Sequence, residues 1–208
     1  MARAEAPLSR RRRDRTDAMT TRIFVSVGTD HHPFTRLLDW IDEWMDDRSP
    51  AGSGIHLVVQ HGAARPSRHG TNHELLGADD LHAQYEAADL VISQVGPGTI
   101  ADANRAGLLP IVVPRDPSLG EVVDDHQVAF GEFMADRGRC RCVRTRAQFR
   151  TELEQRLLTP SPVIEARSTD ELPERTADAL SELARTVLDS PRRRVTARRL
   201  VTAVLRVT

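Results

Sequence analysis

The sequence predicts an α/β fold: a single Rossmann-like domain with a mainly parallel sheet, followed by a helical C-terminal tail. Three observations carry that expectation. Short apolar runs at residues 23–27, 55–60, 90–92, 109–114 and 140–143 alternate with stretches of helical spacing, the pattern of strands joined by crossover helices. Two of the runs break into glycine turns that reopen as helices, Gly28-Thr29-Asp30 and Gly96-Pro97-Gly98. Finally, 208 residues suffice for one domain with a sizeable core, whereas two compact domains would be unusually small.

The stretch LVISQVGPGTIADANRAG, residues 90–107, organises the rest. Leu90, Val91 and Ile92 suit a strand buried on both faces. Gly96 and Gly98 let the backbone turn sharply and put no side chain between it and a ligand. From Thr99 onward Ile100, Ala103 and Asn104 recur at helical spacing, so the first free N–H groups of that helix point into the turn, where an anion such as phosphate binds well.

Taken in order, residues 1–21 are arginine-rich with almost no apolar periodicity and read as a disordered basic N-terminal arm, with Met19 a second candidate start. The strand at 23–27 turns through Gly28 into a helix from about Pro33 to Met45. Its Phe34, Leu37, Leu38, Ile41 and Met45 make one apolar face, widened by Trp40 and Trp44. A loop at 50–54 leads to the strand at 55–60, and another loop occupies 63–71. Residues 75–81 fit no single element, and 82–88 read as a short helix. Beyond the strand at 109–114, residues 115–123 form a loop at a strand's carboxyl end, where open α/β sheets bind their ligands. A helix at 124–137, a strand at 140–143 and a helix at 147–158 complete the domain, set at 22–158. Residues 159–208 are a linker and an amphipathic, arginine-rich tail, with helices expected at 171–188 and 192–206.

Composition excludes some chemistry. All twenty-nine cationic side chains are arginine, so a lysine-dependent phosphate loop and a pyridoxal Schiff base are both ruled out. Cys140 and Cys142 supply too few ligands for a structural zinc site and read as structural thiols. No apolar run approaches the roughly 18 residues of a membrane span, and no signal-peptide core follows the N-terminal arginines, so a cytoplasmic protein is expected.

VSVGT at 25–29, VVQHG at 58–62, ADLVIS with GPGTIADA, and LGEVVDDHQ at 119–127 together resemble the family 28 glycosyltransferase C-terminal domain, over residues 22–158. That family includes the MurG-like transferases and the PssE-type donor-binding subunits of two-component sugar transferases. The resemblance implies the C-terminal half of a GT-B fold that holds a UDP-sugar, with the acceptor half on a separate, membrane-associated subunit. It implies that Gly28 and Thr29 lie by the diphosphate, and that Gly96, Gly98 and Thr99 form the second turn. Asp102 stands where relatives usually have a glutamate on the ribose. His126 and Gln127 match a pair whose glutamine contacts sugar hydroxyls. No asparagine follows within 128–131, so selectivity for N-acetylglucosamine is not implied.

His31 and His32 lie in the turn after the first strand, where a base could reach the cleft; His31 is the candidate catalytic residue. The function implied is an inverting, UDP-sugar-dependent hexosyltransferase of exopolysaccharide type. No cofactor or metal is expected, and nucleic acid is not an expected partner. Partner and arginine-rich tail together would bring it to the inner face of the membrane. Two other readings stay open. GPGTIA fits the dinucleotide fingerprint G-x-G-x-x-A with Asp116 about twenty residues on, as in an NAD(P)-dependent oxidoreductase, although two strands precede it and Pro97 stiffens the turn. A non-catalytic nucleotide-binding partner protein is the third.

Overall fold

The computed structural model describes residues 20–48 and 54–159. Residues 1–19 of the expected 1–21 arm, most of the 50–54 loop and the tail helices lie outside the described residues; of the arm's last two residues, Thr21 instead opens the first strand. Within them the order is β1 (Thr21–Ser26), α1 (Thr35–Asp46), β2 (Ile55–Gln60), β3 (Thr71–His73), α2 (Ala78–Ala87), β4 (Leu90–Gln94), α3 (Pro97–Arg105), β5 (Ile111–Val113), α4 (His126–Asp136), β6 (Arg141–Cys142) and α5 (Arg146–Leu158). A single 3-10 turn, Pro117–Leu119, interrupts the loop between β5 and α4.

The six strands form one sheet in the order β3-β2-β1-β4-β5-β6. Every pairing is parallel, with Val25 opposite Val59 on one side of β1 and Ile92 on the other. Alternation along β1 sends Ile23, Val25 and Val27 to one face and Phe24 to the other. The first face is covered by α1 and α5 through Leu37, Leu38, Ile41, Trp44, Phe149 and Leu153. Against the second, Phe24 meets Tyr85 of α2 edge to face at 5.1 Å and Val91 packs with Ala103 and Leu108, while α3 and α4 cover Val95 and Val112. Covering both faces is what an all-parallel sheet requires, and it is why its strands read as continuous apolar runs.

The α/β, Rossmann-like expectation is met, with two corrections. The sheet has a sixth strand, β3, which starts at the last residue read as loop and runs into the unassigned gap before 75; its three residues are polar because an edge strand needs little apolar surface. Pairing with Val58–Gln60 holds it, extended by His61 N–H to His73 O at 2.9 Å and Gly62 N–H to Glu74 O at 3.0 Å. Helix α2 begins at Ala78 rather than 82, because Asp79 and Asp80 occupy its first turn, where acidic side chains favour the helix dipole.

Order reverses between β1 and β4: chain running out of β1 goes to β2 on one side, and chain running out of β4 goes to β5 on the other. In open α/β sheets such a switch point marks the ligand crevice, outside the carboxyl ends of the two strands.

Candidate functional site

Both glycine turns lie at that crevice. Gly28 follows β1 with φ of +87°, a conformation that only glycine adopts without strain. A Cβ there would sit 3.1 Å from Gln94 Nε2, and the same Gln94 side chain lies against Gly96. The turns after β1 and β4 therefore converge on one side chain. Gly62, two residues beyond β2 with φ of +53°, packs so closely that a Cβ would fall 2.5 Å from Gly28 O.

Helix α3 starts at this point with Gly96 as its cap and Pro97 at its first position. No side chain caps it, so the N–H groups of Gly98 and Thr99 face outward without an intrahelical partner. A Cβ on Gly98 would meet nothing within 4 Å. One side of this helix start is thus bare backbone facing open space, as an anion site needs.

The other expected site residues are placed as follows. Thr29 is exposed at the rim. Thr99 and Asp102 lie near the buried Tyr85 hydroxyl, which burial pushes up to about 12. Asp102 pairs with Arg105 one turn on, at 2.5 Å. His126 opens α4 exposed, its ring and backbone N–H both bonded to Asp124, whose carboxyl these bonds hold below the ordinary range. Gln127 is buried, and its Oε1 accepts the Arg115 backbone N–H at 3.1 Å, fastening the start of α4 to the end of β5.

His31 is 85% exposed at the mouth, its Nδ1 3.3 Å from Asp30 Oδ1. The His32 backbone N–H donates to that oxygen at 2.8 Å and the His32 ring approaches it at 2.7 Å, together holding the Asp30 carboxyl below its usual value. Asp30, His31 and His32 bring one donor atom each within 4.8 Å of the others, the set among the described residues that could accept a cation.

One group of residues at the site escaped sequence reasoning. Arg115 is 1% exposed and reaches under the first turn, donating from Nη2 to Val27 O at 2.7 Å and from Nη1 to His32 O at 2.6 Å and Glu121 O at 2.8 Å. Glu121, buried, takes both Arg36 Nε at 2.9 Å and Nη2 at 2.7 Å, plus the Asp116 N–H at 2.8 Å. The signal was present in the arginine that directly follows the IVVP strand, but in a chain whose cations are all arginine it did not stand out.

The model of the glycosyltransferase family 28 C-terminal domain matches residues 22–182. The chain belongs to that family. Among its relatives, UDP-N-acetylglucosamine--N-acetylmuramyl-(pentapeptide) pyrophosphoryl-undecaprenol N-acetylglucosamine transferase of Ralstonia nicotianae is 31% identical over 100 residues, covering 43% of this chain and 26% of that protein. The enzyme of the same name from Burkholderia cenocepacia is 40% identical over 60 residues, 29% of this chain and 15% of that protein. The matched stretch thus spans about a quarter or less of these curated relatives. The crystal structure of the kitacinnamycin glycotransferase superposes with a TM-score of 0.52 at 20% identity, over 86% of this chain and 43% of that one, a likeness of fold.

In this family 28 domain the fingerprint GPGTIA follows β4, the fourth strand, rather than opening the sheet as a dinucleotide fingerprint does. Among the described residues no helix is long and apolar enough to cross a membrane. The C-x-C pair lies beneath α4: Cys140 is fully buried, and burial pushes its thiol up to about 12 and that of Cys142 to about 11. Both are therefore expected to resist alkylation at pH 8 in the native protein and to react fully in urea, followed by mass spectrometry. Rapid labelling of Cys142 before unfolding would contradict its structural role.

Proposed function

We propose that this chain is the donor-binding, catalytic subunit of a two-component inverting glycosyltransferase. It takes a UDP-sugar and passes the sugar to a lipid-linked or polysaccharide acceptor held by a separate membrane-associated subunit. The observation that carries the reading is the meeting of two glycine turns at the sheet's switch point, with the uncapped start of α3 opening onto free space at Gly98. Family membership and the UDP-sugar in the names of the relatives support the nucleotide. The described residues form one sheet, which accounts for a donor half.

In the proposed reaction an acceptor hydroxyl attacks the anomeric carbon from the face opposite UDP. The new C–O bond forms as the bond to the diphosphate oxygen breaks, and the electron pair leaves with UDP. The charge that develops there is met by the N–H groups of Gly98 and Thr99 and by the positive end of α3, which need no metal to act. Thr29 lines the opposite turn, after β1, and Asp102 is assigned to the ribose hydroxyls, which it accepts from once it releases Arg105. His126 and Gln127 flank the sugar side. The acceptor's proton goes to a base, for which His31 is this chain's candidate, exposed where a partner's surface would close the cleft.

A UDP-release assay tests the proposal: the chain, co-purified with its acceptor-binding partner and given a panel of UDP-sugars and acceptor membranes, is expected to release UDP from one donor. A stable complex that releases UDP from none of them would overturn the transferase role.

A further inference from the structure

Arg115 is more than a fastening. Its three carbonyl acceptors bracket the first turn, Val27 just before Gly28 and His32 just after His31, with Glu121 joining the β5–α4 loop. Neutral donors would satisfy those carbonyls, yet the position holds a full cation, which is costly to bury without a counter-charge. Among the described residues Arg115 makes no ion pair, and its Nε is buried without a hydrogen-bond partner. The nearest buried carboxylate, Glu121, is already engaged bidentately by Arg36. Asp30, the other acid near Arg115, is 41% exposed and bonded to His32. Behind the turn, then, the guanidinium groups of Arg115 and Arg36 face the carboxylates of Glu121 and Asp30, and of the two cations only Arg36 makes a contact ion pair among the described residues. Burial pulls the Arg115 pKa down, opposed by Asp30 and Glu121, while the face of Phe34, 5.0 Å away, favours the cation.

We propose that Arg115 is an electrostatic positioning residue for the donor's diphosphate, a buried cation with no carboxylate in contact that lends positive potential to the Gly28–Thr29 turn without touching the ligand. The proposal rests on the donor-binding reading and deepens it. A charge acting through a protein interior is screened far less than one in water. It completes the work of the α3 N–H groups from the opposite turn, so that the diphosphate lies between two positive sources. What Arg115 distinguishes is the diphosphate and not the nucleoside.

The test compares UDP with uridine by calorimetric titration, since only UDP carries the diphosphate. Arg115→Met is expected to cut the UDP-over-uridine affinity ratio by about tenfold, and Arg115→Lys, which keeps the charge but loses the fork, to hold it within about threefold. A role confined to bridging carbonyls would weaken both ligands together in both variants and leave the ratio unchanged, which overturns the proposal. Should Arg115→Met fail to fold, Glu121→Gln removes the opposing charge while leaving Arg115 in place. It is expected to raise the ratio severalfold; an unchanged or lower ratio overturns the proposal. If the unmodified protein binds UDP no better than uridine, the donor reading itself falls, whatever the variants do.

Discussion

Gly98→Val is expected to lower UDP affinity by about a hundredfold, some 2.7 kcal/mol, while leaving the protein folded. The space around a Cβ at this position is empty to 4 Å, so the fold offers no resistance to a side chain. Valine is also a better helix former than glycine, so the first turns of α3 lose nothing. The branched carbons would instead occupy the volume in front of the Gly98 and Thr99 N–H groups, which the diphosphate needs. Titration with UDP, with circular dichroism to confirm the fold, checks this. Unchanged affinity in a folded variant would show that this turn holds no phosphate.

The largest effect on stability is expected from Asp42→Ala, about 3 kcal/mol by urea denaturation. Asp42 is fully buried on α1, accepting from Ser67 Oγ at 2.5 Å and from the Arg68 N–H at 3.1 Å, and paired with Arg65 Nη1 at 2.7 Å. It thereby ties the loop between β2 and β3 to the helix. Removing it strips three partners at once, although Arg65, about one-third exposed, keeps Asp39 and water, which holds the cost near the lower end for a broken buried pair. Because the same loop begins at Gly62, packed on Gly28, UDP binding is expected to weaken with stability. A loss below about 1 kcal/mol would show that the loop is held by other contacts.

Sequence reasoning reached the parts of this molecule whose physics is local. The apolar runs of β1, β2 and β4 and the amphipathic face of α1 are period signals, and Gly28, Gly96 and Gly98 announce turns that no other residue makes easily. Both turns were therefore legible, though their convergence on Gln94 was not, because that depends on the strand order. β3 was missed because three polar residues at a sheet edge carry no pattern; their pairing partner supplies the information.

Charged residues in the interior were the other gap. Asp42 falls on the buried face of α1, four residues after Leu38, and a lone acid in an apolar stripe was a usable signal. Arg36, Glu121 and Arg115 come from positions up to 85 residues apart, 36 to 121, and only the folded chain brings them together. Gln127 was read from the resemblance as a sugar contact. Its amide oxygen also accepts the Arg115 backbone N–H, joining the start of α4, where His126 stands, to the end of β5.

The central claim is that the crevice between β1 and β4 takes a uridine diphosphate, and thermal unfolding of the unmodified protein tests it most directly. A ligand that binds only the native state raises the melting temperature, the more so the further its concentration exceeds its Kd. UDP at saturating concentration is expected to stabilise the protein, and NADH at the same concentration is not. Stabilisation by NADH with none by UDP would contradict the account.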